Sequence, residues 1–166
     1  MGDLWSGRPV IAGRWTLHEV VQGKPLRHPS HALFVHFPAA LPMAAFVFDI
    51  ASRLRADLTL PRAALYDLAF ALAVAVPAAL TGLVDYLPMV PGSTKRRLGT
   101  YHLLCQVTAV AFLAASLSLR LLQFDARQTP PAAMALLGLG CLALAAGNYF
   151  GGALVYRQGM RVSVDL

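Results

Sequence analysis

The stretch HALFVHFPAALPMAAFVFDI, residues 31–50, decides the fold. It is apolar enough to lie in lipid, yet it opens on His31 and His36, carries Pro38 and Pro42, and ends on Asp49. Proline has no backbone N–H, so Pro42 frees the carbonyl of Pro38, and Pro38 frees that of Phe34 if the helix already runs there. An apolar segment that keeps imidazoles and unpaired carbonyls at one edge needs a reason for them.

The rest of the chain repeats the pattern. Of 166 residues, 57% are hydrophobic and 13% charged, with a mean hydropathy of +0.58, well above what one soluble core requires. Four apolar segments can be drawn, at 32–52, 63–87, 100–122 and 131–156, each near the roughly 20 residues that span a hydrocarbon core. Pro61 and Pro131 stand where a first helical turn tolerates proline, and Asp57, Pro91, Gly92 and residues 128–130 mark tight turns. Only internally hydrogen-bonded elements survive in lipid, so the expected fold is all-α, a four-helix up-down transmembrane bundle over 31–166, preceded by a polar segment, 1–30. That segment lacks the continuous apolar run of a cleaved secretory signal and is expected to stay on the mature protein.

Side A denotes the face holding the N-terminus, the loop between spans two and three, and the C-terminus; side B is opposite. Side A collects Arg8, Arg14, Lys24, Arg27, Lys95, Arg96, Arg97, Arg157 and Arg161, against Arg53, Arg55, Arg62, Arg120 and Arg127 on side B. The positive-inside rule makes side A, with both termini, cytoplasmic. The net charge of +6 lies in short clusters beside apolar spans, which argues for membrane orientation and against nucleic acid. Cys105 and Cys141 lie inside apolar runs, so no disulfide framework is expected. Gly140, Ala143, Gly147 and Gly151 form a small-residue stripe that should face the bundle. Asp49 and Arg53, at i and i+4, read as a structural ion pair near side B, with Arg120 and Asp67 at similar depth.

In this topology His36 and His102 reach nearly the same depth below side A, on different helices. His28, His31, Asp85, Tyr86, Ser93, Gln106, Asn148 and Tyr156 gather at the same end. Intramembrane ionisable groups face the bundle interior and mark functional sites by default. Two neutral imidazoles at matched depth are what axial ligation of haem b requires, each giving one ring nitrogen to iron while the other donates to an acceptor that fixes the tautomer. Asp85, Asn148 or a carbonyl freed by proline would be that acceptor, and Arg27, Arg96 or Arg97 would help Asp85, Asn148 and His28 to contact propionates. Zinc or copper is the alternative, with His28, His31, His36, His102 and Asp85 as donors and Cys105 on the face of His102. Cys105 and Met43, the latter on the face of His36, read more simply as packing residues. No nucleophile with a neighbouring base, phosphate loop or acidic pair points to hydrolysis.

HPSHALFVHFPAAL (28–41), TGLVDYLPMVPGSTKRRLGTYH (81–102) and GNYFGGALVYRQGMRV (147–162) resemble the small four-span bacterial membrane proteins grouped as domain of unknown function 2231. The resemblance covers nearly all of the chain after His28 and implies polar positions at His28, His36, Asp85, Ser93 and His102. Tyr86 stands where the family has tryptophan, and His31 is an additional histidine. Some relatives are joined to Rieske iron-sulfur domains, which implies an electron-transfer neighbourhood. The function expected is electron transfer through haem b to a quinone or a partner redox protein. The alternatives are a cofactor-free accessory subunit of a larger membrane complex, and a metal or proton pathway through the same cluster.

Overall fold

The structure, a computed structural model, describes Gly7 and residues 13–162. Thr16 starts a short helix, α1 (Leu17–Val21), through a reciprocal capping box: its hydroxyl accepts from the Glu19 N–H at 3.2 Å, and the Glu19 carboxylate accepts from the Thr16 N–H at 3.0 Å. Gly23, at φ 81°, then turns the chain into a 3₁₀ turn (Lys24–Leu26). The turn brings the His28 carbonyl oxygen to 2.0 Å from where a Cβ on Gly23 would stand, so only glycine fits.

The first span runs as two helices, α2 (Ser30–Phe34) and α3 (His36–Leu54). The interruption at Val35 lies where Pro38 offers no donor to the Phe34 carbonyl. Next come α4 (Thr59–Tyr86), α5 (Thr94–Leu122) and α6 (Pro131–Tyr156). Asp57 accepts the Thr59 N–H at 2.8 Å at the start of α4, a bond that holds its carboxyl below the usual aspartate range. Ser93 caps α5 by accepting the Arg96 N–H at 3.1 Å, and Pro131 opens α6. Among the described residues four helices are thus long and apolar enough to cross a membrane, of 25, 28, 29 and 26 residues when α2 and α3 are counted together. The interior is lined by small or compact residues such as Ala45, Ala64, Leu68, Ala109, Leu113 and Leu137, while Val47, Leu54, Val107, Leu122 and Leu142 point outward. Such an exterior needs lipid around it.

The bundle is two closely packed helical hairpins, α2/α3 with α4 and α5 with α6, which meet across a looser seam. The hairpins repeat one another. Pro42, Ala45 and Asp49 are buried on α3, and Leu113, Ser116 and Arg120 are buried on α5, each 71 positions later. Ala64, Leu68, Ala71 and Ala78 of α4 match Ala133, Leu137, Gly140 and Gly147 of α6, each 69 positions later. This pseudo-two-fold arrangement makes α3 and α5 diagonal partners.

The first diagonal contact lies near side B and corrects the expected Asp49–Arg53 pair. Asp49 takes a bidentate bond from Arg120 instead, Nη1 to Oδ1 at 2.8 Å and Nη2 to Oδ2 at 2.5 Å, with both side chains buried. Thr129 donates to Asp49 Oδ1 at 2.7 Å, Ser116 accepts from Arg120 Nε at 3.3 Å, and Ser52 accepts the Thr129 N–H at 3.1 Å. Arg53 is exposed and reaches only the Thr129 carbonyl, at 3.5 Å. The reason is phase: Arg53 lies off the buried stripe, and a fork-shaped guanidinium arriving from across the bundle satisfies both carboxylate oxygens at once.

Candidate functional site: an imidazole pair across the seam

The second diagonal contact lies near side A. From Asp49, 18 residues back along the buried stripe (49 − 31) is His31, and from Arg120, 18 residues back (120 − 102) is His102. At about 1.5 Å per residue the two polar pairs are about 27 Å apart along the bundle, close to the two edges of a hydrocarbon core about 30 Å thick. The rings of His31 and His102 meet edge-on, with centroids 6.4 Å apart and planes at 90°.

Each ring is held in the same way by its own hairpin. His31 Nδ1 lies 2.9 Å from the Ala78 carbonyl oxygen of α4, and His102 Nδ1 lies 2.7 Å from the Gly147 carbonyl oxygen of α6. A carbonyl only accepts, so both Nδ1 atoms carry a proton, and in the neutral ring the opposite Nε2 keeps the lone pair. One turn on from each carbonyl is a glycine. A Cβ on Gly82 would stand 2.9 Å from His31 Cε1, and one on Gly151 would stand 3.1 Å from His102 Cε1. These two glycines are what let the imidazoles lie against the neighbouring helices. Thr81 donates to the Pro77 and Ala78 carbonyls at 2.8 and 3.0 Å, packing its hydroxyl beside His31.

The arrangement suits a metal centre held between two nitrogens. An imidazole nitrogen lies about 1 Å from its ring centre and metal–nitrogen bonds run about 2.0–2.1 Å, so two rings on opposite sides of one metal stand about 6 Å apart. The observed separation of 6.4 Å fits that figure. The looser seam between the hairpins is also where a flat macrocycle would have to lie. Among the described residues no group of three or more His, Cys, Asp or Glu side chains gathers to form a larger donor set.

The expected site residues divide accordingly. His102 is in the pair, but His36 is exposed on the outward face of α3, a face it shares with Met43, and the structure brings His31 to His102 instead. His28 is exposed in the turn before α2, and Asn148 is exposed on α6, where it accepts from Gln106 Nε2 at 3.3 Å. Asp85 is buried and acts electrostatically on His31, but its hydrogen-bond partner is Arg161, whose Nε donates to Oδ1 at 3.1 Å while Nη2 makes a closer contact. The tautomer-fixing acceptors are therefore backbone carbonyls of α4 and α6, and neither is a carbonyl freed by Pro38 or Pro42. Arg96 lies over the Tyr86 ring at 3.8 Å and bonds the Tyr86 carbonyl at 3.0 Å, while Tyr86 reaches the Thr100 hydroxyl at 2.8 Å. Ser93 has its use as the cap of α5.

His31 stands in the sequence as an additional histidine, counted only among the donors of the zinc or copper alternative. The signal that assigns it is the spacing His31, Val35, Pro38, Pro42, Ala45, Asp49, Ser52, one unbroken stripe at three- and four-residue steps. His36 is five positions from His31, about 140° round a helix, and cannot share that face.

Comparison with known proteins adds family and no more. No curated protein and no solved structure matches this chain. A family model described as "Predicted membrane protein (DUF2231)" matches residues 27–164, nearly the whole chain, and the protein therefore belongs to that family.

Proposed function

We propose that His31 and His102 are the ligands of a membrane-embedded redox centre, holding haem b across the seam between the two hairpins. The observation that carries this reading is the symmetric pair of Nδ1-anchored imidazoles, with ring centroids 6.4 Å apart and planes at 90°. Bound there, the haem would supply one-electron transfer, to or from a quinone or a partner redox protein. The residues of this chain do the positioning. Ala78 and Gly147 hold the protons on Nδ1 and raise the basicity of the opposite nitrogens, while Gly82 and Gly151 set how far each ring recedes from the seam. Asp85 pairs with Arg161 at the side A end of α4. The basic excess of side A supports an inner-membrane orientation with both termini in the cytoplasm. The same two nitrogens suit a copper ion bound by imidazole alone, which is the second reading.

The test is an optical spectrum and elemental analysis of the purified protein. The reading expects a Soret band with sharp reduced alpha and beta peaks, lost in His31→Ala and His102→Ala and kept in His36→Ala. Stoichiometric copper without iron selects the second reading. A colourless, metal-free preparation that retains its helicity overturns both and leaves an accessory membrane subunit.

A further inference from the structure

Above Asp85, on side A, an open cleft of about 400 Å³ is lined by His18, Gln22 and Lys24 from α1 and the turn after it, by Pro88, Met89 and Lys95 from the α4–α5 connection, and by Met160 and Arg161 after α6. Gln22, Asp85 and Met89 are its buried members, and Pro88 and Met160 add apolar surface. Of its three cationic rim groups, Arg161 pairs with Asp85 and Lys24 with Glu19 at 2.8 Å, and Lys95 has no ion-pair partner among the described residues. Beyond the rim the imbalance widens: Arg14, Arg27, Arg96, Arg97 and Arg157 add positive charge to side A, and among the described residues only Glu19 adds a further negative charge. Large apolar side chains surround the cleft at the same level, with Leu26, Leu87 and Val90 more than half exposed. A cleft that joins basic groups to apolar lining residues at the edge of a hydrocarbon core is complementary to a phosphate attached to an acyl chain.

We infer that this cleft is a binding site for the phosphate of an anionic glycerophospholipid, with Lys95 facing the phosphate and Met89 and Met160 beneath its glycerol. Arg161 is already engaged by Asp85 and Lys24 by Glu19, so the headgroup would rest between two ion pairs. The inference does not depend on what the imidazole pair binds.

The experiment uses the full chain in vesicles doped with spin-labelled phosphatidylglycerol or spin-labelled phosphatidylcholine, and reads the motionally restricted fraction. The intact protein should restrict phosphatidylglycerol in preference to phosphatidylcholine. Lys95→Gln should lower that preference roughly five-fold for the one charge removed, while Arg127→Gln on side B should leave it unchanged. Among the described residues the Lys95 side chain makes no hydrogen bond or ion pair, so this variant keeps α1 and its Glu19–Lys24 pair intact. Millimolar inorganic phosphate distinguishes the source: no competition assigns the site to the lipid headgroup, and competition assigns it to free phosphate with the same anion chemistry. Equal restriction of the two lipids by the intact protein, or an equal loss in Lys95→Gln and Arg127→Gln, overturns the inference.

Discussion

Replacing Asp49 by alanine removes one half of a pair that is 0% and 3% exposed at its two side chains. Arg120 would lose both carboxylate bonds, at 2.8 and 2.5 Å, and keep only the weak contact to Ser116 at 3.3 Å. A buried charge left without its partner costs about 3–5 kcal/mol, or roughly 10²–10⁴ in the folding equilibrium. Arg120→Ala should cost a similar amount, because it strands the carboxylate with Thr129 as its remaining donor. The exchanged double variant, Asp49→Arg with Arg120→Asp, tests more than pairing. The two positions are equivalent under the pseudo-two-fold of the hairpins, so the exchanged pair should re-form and recover most of the loss, short of about 1–2 kcal/mol for the misplaced Thr129 and Ser116 hydroxyls. Equilibrium unfolding in mixed detergent micelles, followed by helicity, measures all three. If Asp49→Ala unfolds within about 1 kcal/mol of the parent, the pair does not hold the hairpins. If the exchanged variant is no better than the single ones, the symmetry argument fails. An apolar pair, Leu at both positions, should be close to neutral, since no unmatched charge remains.

Three further outcomes follow from the same geometry. Gly82→Ala and Gly151→Ala should each destabilise by about 1–3 kcal/mol through overpacking against an imidazole, and each should displace its ring, read as a shifted histidine resonance. His31→Ala and His102→Ala should lower stability in the same micelle assay, each leaving a bundle-facing gap and a lost bond to a carbonyl, whereas His36→Ala on the outward face should stay within about 0.5 kcal/mol of the parent. Glu19 is pulled down to a pKa of about 2 from 4.5, first by the Lys24 ammonium and then by the Thr16 N–H. Its folded value is depressed, so the support it gives α1 is complete above about pH 4.5 and vanishes as pH falls through about 2, seen as faster amide exchange over residues 17–21. Lys24→Met should move that loss to higher pH.

The sequence states the architecture openly and the site only indirectly, for a physical reason. Membrane spans are written in composition: four apolar runs bounded by proline, glycine and aspartate leave few other folds, and the Pro131 and Ser93 boundaries are legible as chemistry. A buried polar position is written in phase instead. In an apolar run the outward face is hydrophobic too, so the usual contrast between core and surface disappears. His36, embedded in VHFP, looks deeper than His31 and points to lipid. The phase is recoverable only from residues that no lipid-facing stripe would carry, and here those are Asp49 and Ser52 on the first span and Ser116 and Arg120 on the third. Counting back from Asp49 and from Arg120 by 18 positions reaches one histidine on each. The exchange of Asp for Arg between equivalent positions hides this repeat from residue-by-residue comparison, yet opposite charges are what two symmetry-related residues meeting across an axis need, since identical ones would repel. The same constraint explains why the side A pair can be identical: imidazoles that each bond a backbone carbonyl of their own hairpin need no opposite charge across the axis, and a ligand between them would be shared equally by both hairpins.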